Sequence, residues 1–367
     1  MRKRTTFIAL LALALSVLAP ACATVKGPAA AKAPAVVFPG AEWDRIADPG
    51  KAGWSPAGLD AVVEHAKTLP TTGLIVVAGG QVLLEYGDVV ELSYLASVRK
   101  SILAMLYGNY VDSGQVRLDK TLAKIGITDH GGLTPQELEA TVADLLSARS
   151  GVYHAASNSG DNLADAPPRG SQKHGEYFLY SNWDFNALGT IFEKETGRNI
   201  YDALESDLAK PIGMQDFDRK AQIKSGNLNV SMHPAYHIWL STRDMARLGY
   251  LMLREGNWAG RQVVPRDWVK KITTPVTRLP DMNPPTMREG RVGYGYLWWV
   301  FDGPWGQGPF EGAYTGMGAG GQYITVLPKL DLVVAHKTNL AKTQRKSVSG
   351  RQYFELLDKL ISARLER

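Results

Sequence analysis

The sequence predicts a mixed α/β (α+β) fold: one antiparallel sheet built from both chain ends, flanked by helices, with a helical subdomain inserted between its halves. Three observations lead there. Two short apolar runs, Gly73 to Ala78 and Gln81 to Tyr86, are joined by Gly79-Gly80, the two-residue joint of a hairpin. Strand-like runs reappear only near the other end, at Tyr294 to Phe301, Tyr323 to Leu327 and Leu332 to His336. Between the two sets, from Ser113 to about Val269, helical signals dominate. A cleft between sheet and helical region is the expected site.

The elements follow in order. Ser55-Pro56 caps a helix that carries Leu59, Val62, Val63 and Ala66 at helical spacing. After the hairpin, an amphipathic helix is expected to start at Ser97 and run to about Val111, stopping at Asp112-Ser113-Gly114. Thr141-Val142-Ala143-Asp144 and Ser241-Thr242-Arg243-Asp244 each have the form of a capping box ahead of apolar residues. Trp183 to Glu195 reads as an amphipathic helix ended by Gly197. Ala155 to Gly175 and Pro275 to Gly290 are polar, Pro- and Gly-bearing loops. Tyr353, Leu356, Leu357, Leu360 and Ile361 make a closing helix.

Composition bounds the function. The 367 residues are 45% hydrophobic and 21% charged, as in ordinary globular chains. The net charge of +5 includes Arg2, Lys3 and Arg4 of a removable leader, so the remainder is near neutral and does not suit nucleic-acid binding. Residues 1–23 read as that leader: a basic start, then an apolar run from Phe7 to Leu18 too short for a good membrane span. The only cysteine, Cys22, follows Leu18-Ala19-Pro20-Ala21 and resembles a bacterial lipoprotein box. Lipidation of Cys22 is the expectation, with ordinary cleavage at Ala21-Cys22-Ala23 as the alternative. Either predicts secretion across the inner membrane to the periplasm or cell envelope, with a lipid anchor as the sole membrane contact. Residues 24–39, rich in Ala, Pro and Lys, are expected to form a linker, and residues 40–367 the main domain.

The chemistry centres on Ser97 and Lys100, the only Ser with Lys three places on. Residues i and i+3 share a helix face, so hydroxyl and amine can meet. An amine whose pKa is lowered by burial or by cationic neighbours can take the Oγ proton. Tyr107-Gly108-Asn109 lies on the same helix, about 15 Å along, and cannot reach back. Tyr180-Ser181-Asn182 lies between a loop and a capped helix and can face the cleft. Tyr180 would then act as general acid or base, and Asn182 would hold Lys100 or a substrate carbonyl. The second oxyanion donor is expected from a strand edge, and the glycine-rich stretch Tyr314 to Gln322 sits just before the final strand pair.

Ser97-Val98-Arg99-Lys100, Tyr180-Ser181-Asn182 and Tyr314-Thr315-Gly316 resemble, in order and spacing, the three motifs of the serine β-lactamase and penicillin-binding protein superfamily. The Tyr-x-Asn form is similar to its class C, D-aminopeptidase, esterase and 6-aminohexanoate-dimer hydrolase branch. The likeness covers Trp54 to the C-terminus. It extends to Leu145-Leu146-Ser147-Ala148-Arg149-Ser150-Gly151, which resembles that family's Leu-Leu-x-His-x-Ser-Gly turn, and to Ser241 through Arg247.

The resemblance implies a β-lactamase/DD-peptidase-like fold with Ser97 as acyl-enzyme nucleophile, Lys100 as its proton partner and Tyr180 as acid/base. The Ser97 N–H would be half of the oxyanion hole. Asn182, Tyr314, Gly316 and Met317 would contact the substrate or oxyanion, the second donor being Met317 or a neighbour within Gly316 to Gly320. Where that family has Lys-Thr-Gly, or His-x-Gly in its esterases, this chain has the uncharged Tyr314, which points away from penicillin and towards an ester or amide.

Other candidates are fewer. Arg99 would lower the Lys100 pKa if it faced inward, but a solvated side chain is the expectation. His233 and His237 have i, i+4 spacing, but Pro234 and the lack of an adjacent Glu argue against zinc. Trp239, Trp298, Trp299 and Trp305 are divided between core and cleft. The sequence thus predicts a cofactor-free serine hydrolase acting on a small ester, amide or peptide. The competing reading is a cell-envelope binding protein that keeps the fold without catalysis.

Overall fold

Gly79 and Gly80 both take positive φ, 58° and 90°, so Gly73–Ala78 (β1) turns back at once into Gln81–Gly87 (β2). The computed structural model describes residues 36–365. The leader, Cys22 and the linker up to residue 35 lie outside the described residues.

Five strands from the far end complete the sheet: Val292–Tyr294 (β3), Trp299–Phe301 (β4), Tyr314–Gly318 (β5), Gln322–Leu327 (β6) and Leu332–Lys337 (β7). Their order is β2-β1-β7-β6-β5-β4-β3, with every pair antiparallel. Both chain ends build the sheet, as expected. One expected strand is corrected. Tyr294 to Phe301 is not continuous but turns at Leu297 (φ 60°), with Gly295 N–H donating to Trp298 O. The turn sends Trp298 into the core, where it is fully buried.

Helices cover both faces: Pro56–Thr68 (α1), Val98–Asp112 (α2), Val142–Leu146 (α3), Asn182–Thr196 (α4), Thr242–Leu253 (α5) and Gly350–Ser362 (α6). Strand alternation divides the core. Leu74, Val76, Leu332 and Val334 pack with Leu59 and Val62 of α1 and with Tyr353, Leu356 and Leu357 of α6. Ile75, Val77, Val333 and Ala335 belong to the larger core with α2 and α5.

Helix α2 departs from its expected amphipathic character. It is buried on nearly every side, because it runs between the sheet, at β5 and β6, and α4 of the helical region. Each of Ile102, Leu103 and Leu106 contributes on the order of 2 kcal/mol by burial.

The caps divide. The Thr141–Asp144 box closes in both directions. In the second box Ser241 accepts from Asp244 N–H, but the Asp244 carboxylate instead accepts from the N–H groups of Gln215 and Asp216. That carboxylate staples a loop rather than its own helix. The middle of the chain also holds short ladders where only helices and loops were expected. In one, Ser93–Tyr94 pairs with Trp239–Leu240. Lys337 of β7 anchors this ladder to the sheet, its Nζ donating to Ser93 O at 3.0 Å and to Leu240 O.

Candidate active site

The Ser93–Tyr94 ladder leads into Leu95 and Ala96, and Ala96 holds φ at 48°. A left-handed alanine costs roughly 1–2 kcal/mol, and this one turns the chain so that Ser97 sits at the tip of α2. Ser97 occupies the N-cap position rather than the first turn, and its hydroxyl makes no cap bond. The Oγ is instead 2.9 Å from Lys100 Nζ.

Lys100 is the hub. Its Nζ lies 2.7 Å from Tyr180 Oη and 2.7 Å from Asn182 Oδ1, with the Tyr180 and Phe185 rings 4.3 Å and 4.4 Å away. Asn182 Oδ1 can only accept, whereas the two hydroxyls can donate or accept. A neutral amine that donates to Asn182 and Tyr180 and receives the Ser97 proton therefore satisfies every partner.

Burial pushes the Lys100 pKa well down, Arg99 pushes it further, and Asp161 partly opposes both. The expected solvated Arg99 is corrected. Its guanidinium is 2% exposed, donates to Asn186 Oδ1 at 2.9 Å and lies 4.3 Å above the Tyr236 ring. It has no carboxylate partner within ion-pair distance among the described residues. The groups that act electrostatically on Lys100 are Arg99 and Asp161, and those on which Arg99 acts include Tyr94, Tyr180, Tyr201, Tyr236 and His237.

Removing the Arg99 charge favours the ammonium form of Lys100 and raises its pKa. We expect Arg99→Gln to move the acid limb of the kcat/KM–pH profile to higher pH, which a profile against any turned-over ester would measure. An unmoved limb would mean that Arg99 does not act on Lys100.

Tyr180 is set by the start of α4. Its phenol is buried, which raises its pKa and keeps it protonated at neutral pH. Its ring stacks on Trp299 at 5.3 Å. No side chain caps α4 from Ser181; the Asp161 carboxylate accepts from Asn182 N–H at 2.9 Å instead. The Asn182 amide donates to Ser159 O, which fixes its Oδ1 towards Lys100.

Strand β5 forms the opposite wall. Phe301 N–H donates to Ala313 O, and Trp299 pairs with Thr315. Odd-numbered β5 residues thus turn their N–H groups towards β4. Because β4 begins at Trp299, the N–H groups of Met317 and of Ala319 beyond it face the cleft. Even-numbered Gly316 and Gly318 face α2. A Cβ on Gly318 would lie 2.4 Å from Leu95 O and 3.1 Å from Ser97 N, a closeness only glycine permits.

The expected role of Tyr314 is corrected: it is buried, its ring against Trp298 at 5.4 Å, and does not border the cleft. Gly316 packs on Ser101 and likewise does not border it. The stretch that borders the cleft lies further along the strand, at Met317 to Gly320.

The cleft holds about 480 Å³ and is bordered by Ser97, Tyr180, Trp299, Asp161, Met317 and Ala319, and by the start of α6. The loop at Gly160–Asn162 and residues Ser347–Gly350 carry no chemical signal in the sequence and were not anticipated. Of the four tryptophans only Trp299 borders this cleft; Trp239 borders a second pocket, and Trp305 lies under Arg291. His233 and His237 point to Thr190 and Ser225.

The antiparallel sheet, its two helical layers and a serine beside a buried lysine define a serine hydrolase of the β-lactamase and penicillin-binding protein type. Residues 59–357 match the Beta-lactamase family, and the chain belongs to that family. It is similar to the 6-aminohexanoate-dimer hydrolase of Paenarthrobacter ureafaciens, 25% identical over 316 residues that cover 78% of this chain and 77% of the relative. Among solved structures it resembles a penicillin-binding protein homolog from Caulobacter crescentus, with TM-score 0.60, 16% identity, and 85% of this chain and 99% of that one covered. It also resembles EstCE1, a hydrolase with promiscuous acyltransferase activity, with TM-score 0.59, 15% identity, and 83% and 97% covered. At these identities the structural likeness concerns the fold.

Proposed function

We propose that the protein hydrolyses a neutral ester or amide through an acyl-enzyme at Ser97. The observation that carries this reading is the contact of Lys100 Nζ with Ser97 Oγ, Tyr180 Oη and Asn182 Oδ1 in a buried setting. Lys100 takes the Ser97 proton as Oγ attacks the carbonyl carbon. The oxyanion sits between the N–H of Ser97 and that of Ala319, next to the point where Gly318 approaches Ser97 most closely. Tyr180 passes its proton to the leaving alcohol or amine as that bond breaks, and is reprotonated from Lys100. Water then attacks the acyl group, losing its proton to the same pair, and Ser97 leaves protonated.

Cleft charge supports a neutral substrate. Apart from Lys100 beneath Ser97, no basic side chain among the described residues borders the cleft, whereas Asp161 does. A β-lactam or peptide carboxylate would find no cation there and one repelling carboxylate. The relative named as hydrolysing a 6-aminohexanoate dimer and the neighbour named for acyl transfer are in keeping with the acyl-enzyme step, although the dimer itself is charged at both ends and gives no support to a neutral substrate.

The test is intact-mass spectrometry after exposure to a fluorophosphonate. One adduct is expected, mapping to the peptide that bears Ser97 and lost in Ser97→Ala. A folded protein that takes up no adduct would overturn the reading. Comparing p-nitrophenyl esters with nitrocefin then separates esterase from β-lactamase.

A further inference from the structure

A second pocket of about 350 Å³ lies on the other side of the turn that carries Ala319. Ala319 borders both this pocket and the reaction cleft, and Ala96, next to Ser97 in the chain, borders the pocket as well. Its walls are Tyr94 and Trp239, ring centroids 5.4 Å apart, with Leu92 and Leu340 facing them. Gln322 and Thr338 also border it, and their Oε1 and Oγ1 have no hydrogen-bond partner among the described residues. The anchored Ser93–Tyr94 ladder holds this wall in place.

The direction of the reaction says what enters. Tyr180 must reach the leaving group, so the leaving group occupies the side bordered by Tyr180 and Trp299. The acyl chain then extends the opposite way, past Ala319. A buried cation, Arg99, stands behind that wall and acts on Tyr94, with no carboxylate within ion-pair distance among the described residues, whereas burial brings the Lys337 pKa down to about 7. The Arg99 charge repels a positively charged chain end.

We propose that the pocket walled by Tyr94 and Trp239 is the acyl-chain subsite, taking an unbranched, uncharged aliphatic acyl group. The inference rests on the Ser97 reading above and adds the substrate class to it. An acetyl group is too short to leave the cleft, whereas a hexanoyl chain reaches the pocket and loses its apolar surface to Trp239, Tyr94 and Leu340.

The experiment compares kcat/KM for p-nitrophenyl acetate, hexanoate and 6-aminohexanoate, with fluorophosphonate labelling of Ser97 run alongside. Hexanoate is expected to exceed acetate by at least about tenfold, and 6-aminohexanoate to fall at least about tenfold below hexanoate. Ala341→Trp, which fills the mouth of the pocket, is expected to bring the hexanoate-to-acetate ratio towards one. Equal values for acetate and hexanoate in labelled wild-type protein would overturn the subsite. A 6-aminohexanoate ester cleaved as well as hexanoate would overturn its preference for neutral chains. No label and no hydrolysis of any ester would instead remove the Ser97 reading, and the subsite with it.

Discussion

Lys100→Met is expected to lower kcat/KM for ester hydrolysis by about 10³-fold or more, about 4 kcal/mol of transition-state stabilisation. Methionine nearly matches the lysine stem in volume, so packing against Tyr180 and Phe185 is retained while the base is removed. The stability effect should be small or opposite in sign. Burying an amine at 1% exposure is costly, and Lys100 has no carboxylate in direct contact to offset that cost. Removing it leaves Asn182 Oδ1 and the Tyr180 hydroxyl short of one partner, a penalty of about 1–3 kcal/mol against the gain from discarding a buried amine. Thermal denaturation beside steady-state kinetics makes the check. Activity within tenfold of wild type would exclude Lys100 as the base. A collapse of Tm together with activity would make it a structural group instead.

Tyr180→Phe separates two roles for the phenol. The ring keeps its stacking on Trp299, so the fold should hold. The lost proton matters most where the leaving group needs one. An alkyl ester or anilide is expected to lose about 10²- to 10³-fold in kcat/KM, whereas the acylation burst with a p-nitrophenyl ester should fall by less than about tenfold. p-Nitrophenolate departs without protonation, which is the reason for the contrast. Equal losses on both substrates would place Tyr180 at the attack step, acting on Ser97 rather than on the leaving group.

The meeting of Ser97, Lys100 and Tyr180 could be read from sequence because each lies within a short spacing that a helix start converts into contact. The two-residue glycine joint likewise identified the first hairpin. The third element was harder. Glycines occur at 316, 318, 320 and 321, and a two-residue shift along a strand preserves which face each residue takes. Only the pairing with β4 and the approach of Gly318 to Leu95 O distinguish the stretch at Met317 from the one at Tyr314.

Arg99 was misread for a different reason. A guanidinium one residue before Lys100 has solvent as its default, and Asn186 and the Tyr236 face, contributed by distant segments, make a place for it inside. Helix α2 shows the same limit. Its apolar residues are not confined to one stripe, and the layers above and below it come from separate parts of the chain. The break at Leu297 had one local mark, Gly295 inside the run from Tyr294 to Phe301, and the aromatic and β-branched residues around it outweighed that mark.

The sheet's closure has a consequence for how the molecule forms. Strand β1 pairs with β7 along its whole length, and the neighbouring contact of Thr71 with His336 spans 265 residues. Closing a chain segment of that length costs about 5 kcal/mol of entropy before the pairing returns anything. During synthesis the first hairpin therefore emerges with one apolar edge, Gly-Leu-Ile-Val-Val-Ala, that finds no partner until β7 has been made. Helix α2 packs on β5 and β6, so Ser97 waits for the same late strands. Assembly of the site is thus among the last events of a slow, non-local folding reaction.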